Sequence, residues 1–554
     1  MDRLSASKIM EDKKIVTIDL GTQSLKICVA HKSDDGKNEV IYCNDFPSAG
    51  IGHGKVMNTN KLSNAIRNAM DSVEKVAGIK VNQVMVPIQK YDIRESEHSF
   101  KITLDPNTCI SEENVKVLGD MLWNEVSSSL VEKNEEVFGI VPQSFTTDDE
   151  MNVGVNDIVG MMTENFTGRY KVYTGKKSSR NYIDAAMANA GISTVRSVFN
   201  PEDIGEAVLT DSEMDGGVAL IDFGAGATSI SIFYAGALRH YGAIPFGGNS
   251  ITDDIKNVCG IPEKLAENIK LGYGGCMPDR LLSLGEKKLR IISKENGSKT
   301  DVAIKYLSEI ITARMKEIIE AMLYEIEKSG YKDNLKNGVV IVGGGANMLN
   351  LCTFIKELSG YTARIGSPQK NHFKSDSSTI FFNPGNAESA GLVECFIKED
   401  VSCVTETERK AAGEPKVEKI PVDIFAGDGK ETDNTGKDDD DDIGHVSDVN
   451  PFDKLRKKIF GSDKKSRTKE TPKDEENLFN NVADEDDSLD KPAPDPIKKE
   501  TPRTEKKETT AQETSGSGNR KKGKKSIQDD AADLFSNFAD WIKGENEEDP
   551  DDLL

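Results

Sequence analysis

The sequence has no long hydrophobic run, no patterned cysteines and no excess of positive charge. No window approaches the ~18 apolar residues of a membrane-spanning helix, and Met1–Leu4 lacks the apolar stretch of a signal peptide, so we expect any membrane contact to be peripheral. The 8 cysteines are scattered without metal-site spacing, which indicates reduced thiols in a cytosolic protein. The formal charge of −23 argues against a nucleic-acid partner, because phosphate neutralisation needs a basic surface.

One short phrase is present twice. Ile-Asp-Leu-Gly at residues 18–21 recurs as Ile-Asp-Phe-Gly at residues 221–224, each time between two apolar runs. Both copies predict a β-hairpin whose tight turn consists of glycine and small hydroxyl residues. A hairpin repeated about 200 residues later indicates two related halves that face each other. Such halves suit a nucleotide held in the cleft between them.

The turn residues suit phosphate binding. Glycine lets backbone N–H groups approach phosphate oxygens, and small hydroxyls add further donors. A carboxylate beside phosphate would be repelled unless a cation lay between them, and Mg²⁺ takes only one or two carboxylates while keeping several waters. We therefore predict that Asp19 and Asp222 hold a hydrated Mg²⁺ from two sides. The alternative is that each Asp-Gly pair merely closes a surface hairpin, and the duplication favours the metal site.

A third element follows at residues 337–349. It is a buried-type strand that runs into three glycines, Gly343 to Gly345, and then into the start of a helix. Open α/β sheets bind ligands at the carboxyl ends of their strands, where glycines let the backbone pass close to a flat ligand. The stretch is not a Walker A loop, because the Gly-Lys-Ser/Thr ending is missing. Two Asp-Gly hairpins followed by this strand make a strong set.

These three phrases resemble the phosphate-one, phosphate-two and adenosine motifs of the actin-like ATPase superfamily. Over about residues 14–400 the chain most resembles the FtsA family of bacterial cell-division proteins, with further support at residues 47–56, 243–255, 266–274 and 313–318. The resemblance implies an α/β, ribonuclease-H-like duplicated, two-lobed ATPase fold with an inserted α+β subdomain and a long disordered C-terminal tail. No motif marks a residue that would position the attacking water, so hydrolysis stays open.

The resemblance implies ATP and Mg²⁺ as ligands. It places the two turns near phosphate and the 313–318 helix beside the nucleoside. For Lys26 an equal alternative is a strand lysine that points into solvent. The predicted nucleotide-contacting residues are Asp19, Gly21, Thr22, Gln23, Ser24, Lys26, Asp222, Gly224, Gly226, Ala227, Thr228, Gly247, Gly248, Lys270, Arg314, Glu317, Gly343, Gly344, Gly345 and Asn347.

The predicted organisation follows the family. In the family the inserted subdomain contacts neighbouring molecules, although here it could be a plain structural insertion, and the upper subdomain of the second lobe docks the C-terminal peptide of the tubulin-like FtsZ. The predicted parts are a flexible lead (1–13), a first lobe (14–94, 173–215 and 388–403), the insertion (95–172), a second lobe (216–249 and 310–387), its upper subdomain (250–309) and a tail (404–554). Five helices are predicted, at residues 61–77, 112–130, 251–258, 302–328 and 349–358.

The tail is charged, with little to bury, and is therefore predicted to be disordered. Two amphipathic segments, near 451–460 and 531–544, interrupt it. The first is basic, and the second has an aromatic face with acidic flanks. Both features suit binding to a lipid surface, as in the anchors that end FtsA-like proteins, while a partner-docking peptide is the alternative. The predicted membrane-facing residues are Phe452, Leu455, Ile459, Leu534, Phe535, Phe538, Trp541 and Ile542.

The leading hypothesis is an ATP-binding division protein at the septum. It would polymerise, tether FtsZ to the cytoplasmic face of the cell membrane through the tail, and recruit later divisome proteins, with the nucleotide acting chiefly as a conformational ligand. Alternatives from the same superfamily are a sugar or acid kinase and a chaperone-type ATPase. The sequence shows neither a sugar-binding insertion nor a substrate-binding β domain. A pilus-associated relative would normally lack the long tail.

Overall fold

The computed structural model of the chain describes residues 13–106, 108–292, 299–375, 381–397 and 402–405. The predicted flexible lead up to residue 12, the tail beyond residue 405 and both amphipathic segments lie outside these ranges. The strands are β1 Ile15–Leu20, β2 Ser24–Lys32, β3 Asn38–Pro47, β4 Ile51–Gly52, β5 Lys55–Val56, β6 Lys80–Val81, β7 Gln83–Pro87, β8 Arg94–Thr103, β9 Glu135–Thr146, β10 Asn165–Lys176, β11 Thr194–Val198, β12 Val218–Phe223, β13 Thr228–Tyr234, β14 Ala237–Ile244, β15 Lys288–Ile292, β16 Lys299–Ala303, β17 Val339–Val342, β18 Ala363–Ile365, β19 Phe373–Ser375 and β20 Val404–Thr405.

The α-helices alternate with these strands, as an α/β fold requires. Short 3₁₀ turns occupy several of the remaining connections, among them Gly344–Asn347 and Pro384–Asn386. The helices are α1 Thr59–Ala77, α2 Glu112–Leu130, α3 Lys177–Ala190, α4 Pro201–Val208, α5 Asp211–Gly216, α6 Gly248–Cys259, α7 Glu263–Tyr273, α8 Ile304–Lys328, α9 Leu351–Ser359 and α10 Ala387–Ile397.

Three of the five predicted helices are confirmed, since α1, α2 and α6 contain the ranges 61–77, 112–130 and 251–258. The predicted starts of the other two, Val302 and Leu349, are wrong, because α8 and α9 each begin two residues later. Val302 belongs to β16, where pairing with β15 overrides the helical pattern. Asn350 has φ 63°, and this left-handed conformation keeps Leu349 outside the helix.

Two sheets repeat one arrangement. The six-stranded sheet has the order β11-β7-β1-β2-β3-β19, with β1, β2 and β3 antiparallel and with β7 and β11 continuing the sheet in parallel from β1. The five-stranded sheet has the order β14-β13-β12-β17-β18, again with three antiparallel strands and two that continue in parallel from β12. The repeated phrase therefore lies at the same place in two equivalent sheets. β1 and β12 are central and buried, which explains their nearly continuous apolar runs.

A three-stranded sheet, β8-β10-β9, is inserted in the sequence between β7 and β11 of the six-stranded sheet. Together with α2 it has a hydrophobic core of its own, in which Leu118, Leu122, Phe145 and Phe166 are buried. The hydroxyl of Ser111 accepts the N–H of Asn114 and so caps the start of α2. Whether these elements form a separate interaction domain, with the predicted boundaries, stays a prediction. Across the described ranges, every helix is too short or too polar to span a lipid bilayer.

Candidate functional site

The two repeated turns have the same length and the same internal contact. In each hairpin four residues separate the last paired positions of the two strands, 21–24 between Leu20 and Leu25 and 224–227 between Phe223 and Thr228. A Cβ atom on the first residue, Gly21 or Gly224, would lie 2.5 or 2.6 Å from the carbonyl oxygen of the fourth. Only glycine avoids that overlap. Both predicted hairpins are thereby confirmed.

Asp19 lies near the end of β1 and Asp222 near the end of β12, and both belong to one charged site. They are 7% and 8% exposed. Asp19 Oδ2 lies 3.6 Å from Lys26 Nζ, and Asp222 forms an ion pair with Lys90. Each lysine feels the charge of both aspartates. The structure thus excludes a pair of surface turns with solvated carboxylates, whereas Mg²⁺ binding by the two aspartates stays a prediction.

Lys26 points into this site, so the alternative of a solvent-facing strand lysine is wrong. It lies opposite Asp19 in the hairpin register, is 16% exposed, and its ammonium also donates to the carbonyl of Gly385. Burial acts to lower the pKa of Lys26, but the carboxylates of Asp19, Asp45 and Asp222 outweigh it and raise that pKa above its usual value. Lys26 is therefore held charged beside the first turn.

The sequence reasoning missed two charged residues at this site, Lys90 and Glu388. Lys90 Nζ contacts both Asp222 and Glu388, the latter at 2.9 Å. Burial disfavours the charge on Lys90, yet the three surrounding carboxylates raise its pKa well above the usual value. Burial raises the pKa of Glu388. A signal for Lys90 was present, because it follows β7, which runs parallel to β1 and ends at the same sheet edge. Glu388 had none.

The first turn touches the second directly. A Cβ on Gly226 would overlap the hydroxyl oxygen of Thr22 and lie 3.0 Å from the backbone nitrogen of His53. The ring of His53 bonds through Nδ1 to the carbonyl oxygen of Pro245 at 2.9 Å. The segment after the first hairpin therefore meets the segment after the second. These are the two flanking segments, 47–56 and 243–255, that supported the family resemblance.

The glycine run packs against the end of β12. Gly343 has φ +83°, and a Cβ there would overlap Asp222 Oδ1 and lie 2.6 Å from the carbonyl oxygen of Phe223. A Cβ on Gly345 would lie 2.6 Å from the ring of Phe223. Nothing lies within 4 Å of the corresponding position on Gly344, which faces open space. Gly344 is thus the one residue of the three with room above it for a ligand.

The second turn also supports the start of α6. The carbonyl oxygen of Gly224 accepts the N–H of Gly248 at 3.0 Å, and that of Ala225 accepts the N–H of Asn249 at 2.8 Å. A Cβ on Gly247 would lie 2.8 Å from the same Ala225 oxygen. The predicted residues at 247 and 248 are therefore in contact with the second turn.

Lys270 braces the helix pair α6 and α7 from within. It is 8% exposed, and its ammonium donates to the carbonyl of Gly248 and the hydroxyl of Thr252, each at 2.8 Å. It pairs with Glu267 at 2.7 Å. Burial lowers the pKa of Lys270 despite the charge of Glu267. Its contact with the site runs through the backbone of Gly248.

Arg314 and Glu317 lie together on α8, with a third partner that the sequence reasoning missed. Arg314 donates to both carboxylate oxygens of Asp254 on α6, at 2.6 and 3.0 Å, and to Glu317 at 2.6 Å. The hydrogen bonds that Arg314 donates to Asp254 raise the pKa of Arg314, and burial raises the pKa of Glu317. The contacts described for this cluster link α8 to α6, and none of them reaches Asp19 or Asp222.

Three further predicted residues have no described side-chain contact with Asp19 or Asp222. Gln23 is exposed. Thr228 is fully buried, and its hydroxyl donates to the carbonyl of Phe246 at 2.8 Å. Asn347 is exposed and bonds at 3.4 Å to the carbonyl of Gly344. Whether these three contact a nucleotide stays a prediction.

The donor set fits a hydrated divalent cation with phosphate better than a metal bound by protein alone. Among the described residues, no group of three or more His, Cys, Asp or Glu side chains could hold a metal ion. Mg²⁺ between Asp19 and Asp222 would thus need water and phosphate oxygens to complete its coordination. Two turns with a glycine at each start and the ammoniums of Lys26 and Lys90 lie beside it. Glu388 Oε1 is buried and has no hydrogen-bond partner, so the site has acceptor capacity to spare.

Comparisons with known proteins point to one family. The family model for "Cell division protein FtsA" matches residues 219–391. The chain is 28% identical to cell division protein FtsA of Neisseria meningitidis over 361 residues, 65% of this chain and 85% of the relative. It is 26% identical to the protein of the same name from Pseudomonas aeruginosa over 387 residues, 70% of this chain and 90% of that one. The predicted resemblance to FtsA is confirmed.

Among solved structures, the chain resembles a protein of the PilM–PilN type IV pilus biogenesis complex. The TM-score is 0.50 at 12% identity, with 69% of this chain and 98% of that chain covered. At this identity the likeness shows the fold alone. Together with the duplicated sheets, it confirms the predicted two-lobed actin-like fold.

Proposed function

We propose that this chain, which resembles the FtsA family and has an actin-like fold, binds ATP with Mg²⁺ between its two repeats and acts as a membrane-tethered scaffold of cell division. The convergence of Asp19 and Asp222, from equivalent hairpins, on the same two lysines carries the nucleotide part of this proposal. A triphosphate with its cation needs such a mixture of carboxylates, ammoniums and exposed backbone donors.

Each repeat would contribute one half of the phosphate site. Gly21, Thr22 and Ser24 of the first turn and Gly224 and Gly226 of the second would donate N–H and hydroxyl groups to phosphate oxygens. Lys26 would offset the charge of the phosphates from the first lobe. The open side of Gly344 leaves room for the flat base, and the Arg314 cluster would border the nucleoside. Mg²⁺, when bound, supplies the positive charge that lets both aspartates stand beside phosphate.

Replacing Asp222 tests the assignment. Asp222→Ala is expected to weaken Mg²⁺-ATP binding at least about tenfold, which corresponds to about 1.4 kcal/mol, because one of the two metal-facing carboxylates is lost. Isothermal titration calorimetry gives the affinity. Asp301→Ala is the matched control, since Asp301 pairs with Arg290 on the surface hairpin of β15 and β16. Equal affinities of wild type and Asp222→Ala would refute the proposed cleft.

The curated relatives' names support a role in cell division, and self-association would use the inserted sheet. Val117, Met121 and Trp123 on α2 are exposed large apolar side chains, which suit a contact between neighbouring molecules. In the upper part of the second lobe, Leu271 and Leu282 are exposed as well and suit docking of the FtsZ C-terminal peptide. A nucleotide that binds the closed lobes more tightly would shift assembly by that difference in affinity.

Membrane attachment is proposed on the sequence of the tail. One or both amphipathic segments, 451–460 and 531–544, would place the chain on the cytoplasmic face of the cell membrane at the septum, where later divisome proteins would join it. Truncation before residue 451 is expected to abolish flotation with anionic liposomes, because the apolar faces are lost. Deletion of residues 478–484, a short stretch of the tail outside both amphipathic segments, is the control. Flotation of the truncated chain would rule out the tail as the anchor.

The same liposomes distinguish the segments and the partner. Deleting each segment in turn, with and without purified FtsZ, shows which one contacts lipid and whether FtsZ is carried with it. Phosphorylation of a small molecule by the purified chain would instead favour the kinase alternative. Release of unfolded peptide on addition of ATP would favour the chaperone alternative.

A further inference from the structure

Lys90 connects the two repeats through its ammonium group. It follows β7 in the six-stranded sheet, and it contacts Asp222 at the end of β12 in the five-stranded sheet. Its second partner is Glu388, at the start of α10, with 2.9 Å between Nζ and Oε2. The side chains of Glu388, Asp222 and Lys90 are 4%, 10% and 24% exposed. A charge pair held this far from water is strong only while its geometry is kept.

This contact covers the carboxylate that a metal would need. Asp222 is predicted to face Mg²⁺, yet its ion pair with Lys90 uses the same negative charge. Asp19 is less tightly engaged, since Lys26 Nζ lies 3.6 Å from it and also donates to the carbonyl of Gly385. The two halves of the metal site therefore differ: the carboxylate from the second repeat is neutralised by a lysine from the first.

We propose that Lys90 is a displaceable internal cation, which pairs with Asp222 when Mg²⁺-nucleotide is absent and has to release Asp222 before the metal can bind. The inference rests on the proposed nucleotide site and makes Lys90 a positioning residue rather than a phosphate ligand. A lysine ammonium and a Mg²⁺ ion beside the same carboxylate repel each other, so holding both there is electrostatically unfavourable. Binding of Mg²⁺-ATP thus competes with an ion pair that joins the repeats. The free energy needed to break this pair makes the net free energy of binding less favourable.

The surroundings give the released ammonium a place to go. Glu388 remains at 2.9 Å, and its Oε1 atom is buried without a hydrogen-bond partner. A cavity borders Lys90, Asp222 and Glu388, and Asn200, whose Nδ2 atom is likewise buried and unpartnered, lines it. Unsatisfied buried groups of this kind mark a polar space that can take a shifted side chain or water. The hydroxyl of Tyr241 donates to the backbone carbonyl of Lys90 at 2.8 Å, which holds the backbone while the side chain moves in this proposal.

Replacing Lys90 by an uncharged side chain tests the competition. Lys90→Met is expected to bind Mg²⁺-ATP about tenfold more tightly than wild type, which is about 1.4 kcal/mol, and to show no such gain for ATP in the presence of EDTA. Calorimetric titration of the full chain measures both. Lys80→Met is the matched control, because Lys80 lies in the same repeat and pairs with Glu74 at the surface. It should leave both affinities unchanged.

A second variant guards against a folding defect, since Lys90→Met leaves two buried carboxylates without their cation. Lys90→Gln keeps a hydrogen-bond donor. It should also lower the thermal unfolding midpoint of the nucleotide-free chain and enlarge the rise in that midpoint on adding Mg²⁺-ATP, because the metal replaces the missing charge. A smaller rise than in wild type for both variants would overturn the proposal.

The outcomes separate the possible roles of Lys90. Weaker binding of ATP by Lys90→Met, with and without Mg²⁺, would identify a phosphate ligand and overturn the displacement. Equal affinities of Lys90→Met and wild type would overturn this inference alone and leave the nucleotide site standing. A wild-type chain that does not bind Mg²⁺-ATP would overturn the proposed function, and this inference with it.

Discussion

Gly343 offers the sharpest test of the geometry, because its neighbour Gly344 is a built-in control. In Gly343→Ala the new Cβ would stand in a residue with φ +83°, which costs about 1–2 kcal/mol for a non-glycine residue. It would also overlap Asp222 Oδ1 and approach the carbonyl oxygen of Phe223 to 2.6 Å. Relieving such overpacking typically costs about 1–3 kcal/mol. We therefore expect a loss of about 2–5 kcal/mol in the free energy of unfolding.

In Gly344→Ala no atom lies within 4 Å of the added methyl, and φ is not positive. Its stability should stay within about 1 kcal/mol of wild type. Unfolding midpoints from differential scanning calorimetry would rank the three proteins. Gly343→Ala should also weaken Mg²⁺-ATP binding, because Asp222 is the first group to be pushed aside. If the two alanine variants unfolded at the same temperature, the close packing of the glycine run on β12 would be refuted.

Two further predictions concern charged clusters away from the aspartates. His240 is buried between Glu325 and Glu95, and its Nε2 atom lies 2.8 Å from Glu325. Burial disfavours the charged form of His240, but the two carboxylates outweigh it and raise the pKa of His240 above its usual value. The stability that charged His240 contributes is therefore complete below its unfolded pKa of about 6.5 and is lost as the pH rises through the folded pKa. The difference in unfolding midpoint between wild type and His240→Gln should shrink above that range. A constant difference from pH 5 to 9 would contradict the charged pair. Arg314→Ala should lower the free energy of unfolding by about 2 kcal/mol, because Asp254 loses its bidentate hydrogen-bond donor. Arg314→Lys should restore only part of that free energy. Urea denaturation of both variants measures the difference.

Stability is also expected to fall at low pH, through a different group, Glu95. Burial acts to raise the pKa of Glu95, but hydrogen bonds from His240 and Lys171 lower it to about 2. The stability that this carboxylate contributes is present above its unfolded pKa of about 4.3 and is lost as the pH falls toward 2. These groups join β8 and β10 of the inserted sheet to β14 of the five-stranded sheet. Acid should therefore loosen the inserted sheet.

Local sequence determined the parts of the site that depend on neighbours in the chain. The repeated phrase sets both turns, because a four-residue turn with this internal contact admits only glycine at its first position. Apolar period and capping residues likewise set α1 and α2. The strand before Gly343 was also foreseen, although the chain passes through a 3₁₀ turn, Gly344–Asn347, before α9 begins. In these elements short-range sterics and hydrogen bonds decide the structure.

Tertiary structure decided which charges meet. Lys90 and Asp222 are 132 positions apart, and Arg314 and Asp254 are 60 apart, so no local pattern reports either pair. The open space beside Gly344 likewise depends on the parallel pairing of β12 with β17. Sequence alone thus specified two equivalent bends with an aspartate at each, because backbone geometry is a local property. The identity of the cation beside each aspartate depended on the packing of two sheets, because electrostatic pairing follows distance in space and not along the chain.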